Sequence, residues 1–269
     1  MLKIIKQNLK GVPETLLITL WARAAETKHN DPIIKDQKAV EITEGIDYDF
    51  SKFDKDMLTQ VMVAVRTEIL DNATNAFIEK YPNAIIINLG CGLDTRFSRL
   101  DNGKIHWYDL DLPESINIRR HFFNESDRYK MIAKSVFDYS WMDEIVRGNE
   151  PILIILEGLL VYFKEQEVKD LLNKFINTFE GAEILSTIIP PFVIEKITKK
   201  GVFSEMGVEF KWGIKSGREM EKYNSNIKFI EEWIFMDYHQ DRWKTFKWSS
   251  LIPKFKNKFS NRIIHLKFE

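Results

Sequence analysis

The chain has 269 residues, 44% of them hydrophobic, and its 39 Lys and Arg against 40 Asp and Glu leave a formal charge of −1. That length builds one large α/β domain or two small ones, and the near-neutral balance excludes a global field that would attract nucleic acid or an anionic membrane. The one cysteine, Cys91, excludes an internal disulfide and points to a reducing compartment, so a cytoplasmic protein is expected.

In chain order, residues 1–55 are expected to form an N-terminal helical cap. Lys3, Lys6 and Lys10 ahead of residues 16–21 superficially follow the charge-then-apolar order of a signal peptide. Pro13 and Glu14 interrupt that order and the apolar stretch is short, so an amphipathic helix is expected instead. No run approaches the ~20 apolar residues of a membrane span. Residues 56–80 read as a helix with Leu58, Val61, Met62, Val65, Ile69 and Phe77 inward. Residues 84–89, 105–111, 130–136, 152–157 and 183–188 read as short apolar or β-branched strands. After Tyr162-Phe163 the spacing of Val168, Leu171, Leu172, Phe175, Ile176 and Phe179 predicts a helix. Pro190-Pro191 stops the sheet regime, and residues 190–215 are expected to be a lid insertion. Residues 229–235 and 263–266 read as two further strands. The alternation predicts a single α/β domain over 1–269, with about seven mostly parallel strands and helices on both faces.

The chemistry concentrates at two strand ends. An apolar run ends in Gly90-Cys91-Gly92, and about twenty residues later another ends in Asp109-Leu110-Asp111-Leu112-Pro113. This is the layout of a nucleotide-type cofactor site on a parallel sheet. The glycines admit a close backbone approach, and the strand-end acid can accept hydrogen bonds from two ribose hydroxyls. Thr95 stands where a dinucleotide fingerprint has its third glycine. That departure favours an adenosyl ligand without a pyrophosphate, S-adenosylmethionine being the obvious one. Asp109 shares the strand face of Asp111 and competes for the ribose.

Asn88-Leu89-Gly90-Cys91-Gly92-Leu93-Asp94-Thr95-Arg96, Tyr108-Asp109-Leu110-Asp111-Leu112-Pro113 and Leu156-Glu157-Gly158-Leu159-Leu160-Val161-Tyr162-Phe163 together resemble the leucine carboxyl methyltransferase family. Gly11-Val12-Pro13-Glu14-Thr15 through Arg23-Ala24 is similar to its bacterial branch of polyketide O-methyltransferases. The resemblance implies a class I, Rossmann-like fold, with S-adenosylmethionine as cofactor and S-adenosylhomocysteine as product. It implies that Arg66 grips the methionine carboxylate, that Gly90 and Gly92 form the turn, and that Asp111 binds the ribose. Ser135-Val136 stand where the family has an Asp-Leu pair beside the adenine; Asp138 is the alternative to the uncharged Ser135. Glu157 matches the glutamate after the fourth strand, which contacts the methionine amino group or the acceptor.

Each of these residues also has a plainer structural explanation. Arg66 could snorkel to solvent, and Glu157 could pair with a lid cation. Cys91 suits a position that needs a small side chain. Arg96 and Arg99 read as a solvated face of a short helix whose first turn holds Asp94. Residues 242–269 carry eight Lys or Arg against one acid, with interleaved aromatics, and read as a hairpin with one solvated face rather than a nucleic-acid surface. The five histidines show no metal spacing, so no metal is expected. Trp21, Arg23, Tyr162, Phe192 and Trp212 are the expected acceptor contacts for a small molecule, and Glu157 and Tyr162 the candidates for a catalytic role. A carboxylate acceptor, ionised at neutral pH, needs no general base, whereas a phenol does. The expected function is therefore carboxylate O-methylation of a small, polyketide-like molecule. The alternatives are a non-catalytic cofactor-binding module and an NAD-linked oxidoreductase.

Overall fold

A computed structural model describes residues 4–7, 9–54, 56–197, 207–246 and 251–269. It opens with β1 (Ile5–Lys6), α1 (Thr15–Thr27), α2 (Gln37–Gly45) and β2 (Ile46–Asp47), where β1 and β2 form a small parallel pair. The long α3 (Met57–Lys80) follows, then β3 (Ile85–Leu89), α4 (Arg96–Leu100), β4 (His106–Asp111), α5 (Pro113–Arg119) and β5 (Tyr129–Ala133). The second half holds β6 (Ile152–Leu156), α6 (Glu165–Thr178), β7 (Glu183–Ile188), α7 (Pro191–Ile197), β8 (Ile227–Ile234), α8 (Pro253–Phe259) and β9 (Arg262–Phe268). Seven strands make one sheet in the order β5-β4-β3-β6-β7-β9-β8. All neighbours are parallel except β9, which runs antiparallel to both β7 and β8.

Local chemistry explains the boundaries. Asp56 caps α3 by accepting from the Thr59 N–H (3.1 Å) and hydroxyl (2.6 Å). Glu167 closes the start of α6 by accepting from the Lys164 N–H at 2.6 Å. Pro191 sits at the start of α7, where its missing N–H costs nothing. β3, β6 and β7 are buried along their whole lengths, as parallel strands covered on both faces must be.

The strand order reverses between β3 and β6. The chain moves outward through β4 and β5, then returns to pair β6 with the other edge of β3. A crevice opens at the carboxyl ends of the strands at such a point.

Several expectations shift in detail. β5 ends at Ala133, so Ser135 and Val136 stand beyond the strand. Asp94 precedes α4, whose N-cap is Thr95. α3 buries residues around its circumference because it packs against α1 and also reaches β9. The C-terminal basic stretch contains α8, and β9 is inserted between β7 and β8 instead of forming a local hairpin. The middle of the 190–215 segment, residues 198–206, lies outside the described residues. No helix among the described residues is long and apolar enough to cross a membrane.

Candidate active site

A cavity of about 610 Å³ fills the crevice, within the usual range for small-molecule sites. Its floor is the turn after β3. Gly90 has φ +67° and Gly92 φ +48°, and a Cβ on Gly90 would lie 2.9 Å from Leu159 Cδ1. Only glycine combines that backbone with that neighbour. Cys91 between them is buried, and burial, reinforced by Asp109, pushes its thiol up and keeps it neutral.

Asp111 ends β4 and faces the cavity. One carboxylate oxygen accepts from the Gly92 N–H at 2.7 Å and the other from the Leu112 N–H at 2.7 Å. The Ser115 side chain also hydrogen-bonds this carboxylate; with about four acceptor sites, capacity remains for a ribose hydroxyl. Burial raises its pKa despite these bonds, as expected of an acid still short of partners. Asp109 is fully buried and spent. It accepts from Asn88 Nδ2 (2.9 Å), Trp107 Nε1 (3.0 Å), the Tyr129 hydroxyl (2.6 Å) and Arg119. Asp109 is thus saturated within the fold, whereas Asp111 faces the cavity.

The other end of the crevice holds a buried charge network. Arg66 Nε lies 2.7 Å from Glu157 Oε1, and Arg96 Nη2 donates to Glu157 Oε2 at 2.9 Å. Arg96 also donates to Asp71 (2.8 Å) and Asp94 (2.6 Å). Arg99 pairs with Asp71 (2.7 Å) and Asp36 (3.0 Å), and Arg23 pairs with Asp36 at 2.9 Å. Four guanidiniums thus meet four carboxylates. Burial alone would raise Glu157, but Arg66 and Arg96 overcome it and hold the carboxyl below its usual range. Asp94 is likewise held below its usual range by Arg96 and Arg99, against its burial. The Arg66 Nε–H is itself buried without an aligned hydrogen bond, since Glu157 Oε1 is close but out of line. A ligand carboxylate would complete it.

Arg23, Arg66, Gly90, Gly92, Asp111, Ser135, Val136, Glu157 and Tyr162 all line the cavity. Three expected acceptor contacts lie elsewhere. Trp21 packs on Phe53 at a centroid distance of 5.6 Å in a satellite cluster under the cap. Trp212 is buried and donates to the Tyr223 hydroxyl at 3.2 Å. Phe192 stacks edge-on against Phe259 at 5.0 Å, and it is Phe259 that reaches the cavity. Asp138 is outside the lining and caps the turn after β5 through Ser140. Arg96 and Arg99 are not a solvated face; Arg96 is 1% exposed and tied to three carboxylates. Leu58, Met62 and Arg66 recur four residues apart on α3 and line the cavity together, so their periodicity marks a site-facing stripe as well as a core face. Among the described residues no cluster of His, Cys, Asp or Glu is arranged to hold a metal.

A family model described as leucine carboxyl methyltransferase matches residues 16–176. The chain belongs to the leucine carboxyl methyltransferase family. This family member is an S-adenosylmethionine-dependent methyltransferase with the class I fold. It is 32% identical over 231 residues to the tetracenomycin polyketide synthesis O-methyltransferase TcmP of Streptomyces glaucescens, covering 86% of this chain and 85% of that one. It is also 32% identical over 258 residues to the S-adenosyl-L-methionine-dependent methyltransferase dpfgK of Gibberella zeae, covering 87% and 86%. Among solved structures it superposes on a DUF574 family protein from Streptomyces avermitilis with TM-score 0.64, at 8% identity, over 97% of this chain and 98% of that one. At that identity the likeness shows the fold.

Proposed function

We propose that this family member methylates a carboxylate oxygen of a small, largely apolar, polyketide-like acid. Residues 1–55 act as a cap, and the described parts of 190–215 act as a lid through Val193, Ile197 and Phe210 on the cavity lining. The residues present fit S-adenosylmethionine: Asp111 keeps acceptor sites free, the Arg66 Nε–H lacks an aligned partner, and the Gly90–Gly92 turn leaves backbone room. Arg66 and Glu157 would hold the carboxylate and ammonium of the amino-acid end, exchanging one internal ion pair for two. Asp111 would hold the ribose, and Ser135 with Val136 the adenine.

When bound, this cofactor supplies an electrophilic methyl group. The chain's own work is to hold the acceptor in line and exclude water, and such positioning can be worth about 7–11 kcal/mol. The observation that carries a carboxylate acceptor is the state of the lining acids. Asp94 and Glu157 are held ionised by arginines, and Asp111 is bonded to two backbone N–H groups. Burial pushes up the Tyr162 hydroxyl, which exchanges a 3.1 Å hydrogen bond with Thr15, so it stays neutral. None of these is poised to take a proton from a phenol. A carboxylate has no proton to lose. Tyr162 and Phe210 stack at 5.4 Å and both line the cavity, offering an aromatic wall to an apolar acceptor.

The test supplies isotopically labelled cofactor with matched aromatic acids and phenols. Label released as methanol by alkali, with a rate flat from pH 6 to 9, is the expected result. Alkali-stable methyl ethers, formed at a rate rising with pH, would refute the carboxylate reading.

A further inference from the structure

The far wall of the cavity is built by the antiparallel arm of the sheet. Thr187, near the carboxyl end of β7, pairs with Ile263 of β9, and Ile188 pairs with Arg262. Asn261, just before β9, therefore falls two residues from the partner of Thr187. Residues two apart share a sheet face, so the register places Thr187 and Asn261 on the same side of the sheet, with a diagonal Cα spacing of about 7–8 Å from which their side chains reach the same cavity. Both line the cavity. Thr187 is 2% exposed, and its Oγ1 has no hydrogen-bond partner; Asn261 Oδ1 is also buried and unpartnered. The lining on this side includes Ile189, Met236, Phe235 and Phe259, with the Lys196 ammonium 5.9 Å from the Phe259 ring centroid.

Two orphan polar atoms in an apolar wall are costly unless a ligand satisfies them. A threonine hydroxyl can donate, and an amide oxygen can only accept. A ligand hydroxyl, accepting from the Thr187 hydroxyl and donating to Asn261 Oδ1, satisfies both at once. We propose that Thr187 and Asn261 form a specificity site for a hydroxyl on the acceptor, which makes the substrate class an apolar hydroxy acid. The hydroxyl is recognised there and is not the methylated group. The inference rests on the reading of the site as one for small carboxylic acids.

A site built to hydrogen-bond a hydroxyl rejects the analogue that lacks it far more strongly than a hydrophobic pocket rejects a missing methylene. The probes are the isomeric hydroxynaphthoic acids and unsubstituted 2-naphthoic acid, titrated by calorimetry into the full chain saturated with S-adenosylhomocysteine. At least one hydroxy isomer is expected to bind 10-fold or more tighter than the parent. Thr187→Val and Asn261→Leu should each reduce that preference to within about threefold, chiefly by weakening the hydroxy acid. The ligand-free Tm of Thr187→Val supplies the control. A ligand-binding role predicts an unchanged or higher Tm, because the lost hydroxyl had no partner; a structural role predicts a lower one.

Equal binding of parent and hydroxy acids, no binding by any of them, or a preference that survives both substitutions would overturn the proposal. Methyl transfer is scored separately. Tight hydroxy-acid binding without ester formation would sink the carboxylate reading while leaving the hydroxyl site standing. Equal esterification of parent and hydroxy acids would do the reverse.

Discussion

The two ends of the cavity are built on opposite principles. At the β3–β4–β6 end, the polar groups are numerous and mostly satisfied by one another through paired guanidiniums, carboxylates and a glycine turn. At the β7–β9 end, the wall is mostly aliphatic and aromatic, with Lys196, Thr187 and Asn261 as its polar members. The first end is organised before anything binds, because its charges fix each other's positions. The second leaves selectivity to shape and to a very few unpaired atoms. On the proposed function, the first end would hold the cofactor and the second the acceptor.

Several substitutions can break or sharpen this contrast. The largest effect is expected at Arg96. Arg96→Met would leave Asp71, Asp94 and Glu157 short of a cation in a buried setting, a loss of about 3–5 kcal/mol. Urea unfolding would read this, and a loss under 1 kcal/mol would mean that the network does not organise that end. Next comes Asp111→Ala. It should weaken S-adenosylhomocysteine binding in calorimetry by about 10- to 100-fold, the equivalent of roughly 1.5–3 kcal/mol for bonds to a charged group. Unchanged affinity would remove Asp111 from the ribose role.

Gly90→Ala forces a Cβ into a positive-φ position 2.9 Å from Leu159. A cost of about 1–3 kcal/mol in stability is expected, and a neutral result in thermal melts would show that the turn is more adaptable than its geometry implies. The pH dependence follows from the lowered pKa values of Asp36, Asp94 and Glu157. Their folded values lie below the unfolded ones. The stability they contribute is therefore complete above the unfolded carboxylate range near pH ~4–4.5 and is lost as pH falls through the folded values. Urea midpoints should be level from pH 6 to 8 and fall below about pH 4.5; a decline beginning near pH 6 would contradict this. The smallest effect is expected for Leu58→Ala at the cavity mouth. Its cofactor Kd should stay within about twofold, while KM for the acceptor rises. A tenfold loss of cofactor affinity there would erase the distinction between the two ends.

How much of this was legible in the chain varies with the range of the interaction. The helix from Asp56 to Lys80 and the helix over Glu165 to Thr178 were readable, because capping and periodicity are local. So was the pairing of the glycine turn with Asp111, since strand ends and spacing carry it. The roles of Arg96 and Arg99 were not. In sequence they are two charges on a short helix; their burial depends on carboxylates from α3, the turn after β6 and the cap, up to 63 residues away. Trp21, Phe192 and Trp212 were misplaced for a related reason. An aromatic suits a pocket wall and a core equally well, and only packing decides between them.

By itself, the order of apolar runs and their polar ends determined an α/β sheet, the β3 turn and the acid that serves it, because backbone sterics and side-chain alternation act over a few residues. Tertiary structure alone decided which of two aspartates is free, which arginines are buried, and which two polar atoms on β7 and before β9 lack partners. Those outcomes depend on whether hydrogen bonds are satisfied between segments distant in the chain, and no local pattern encodes that.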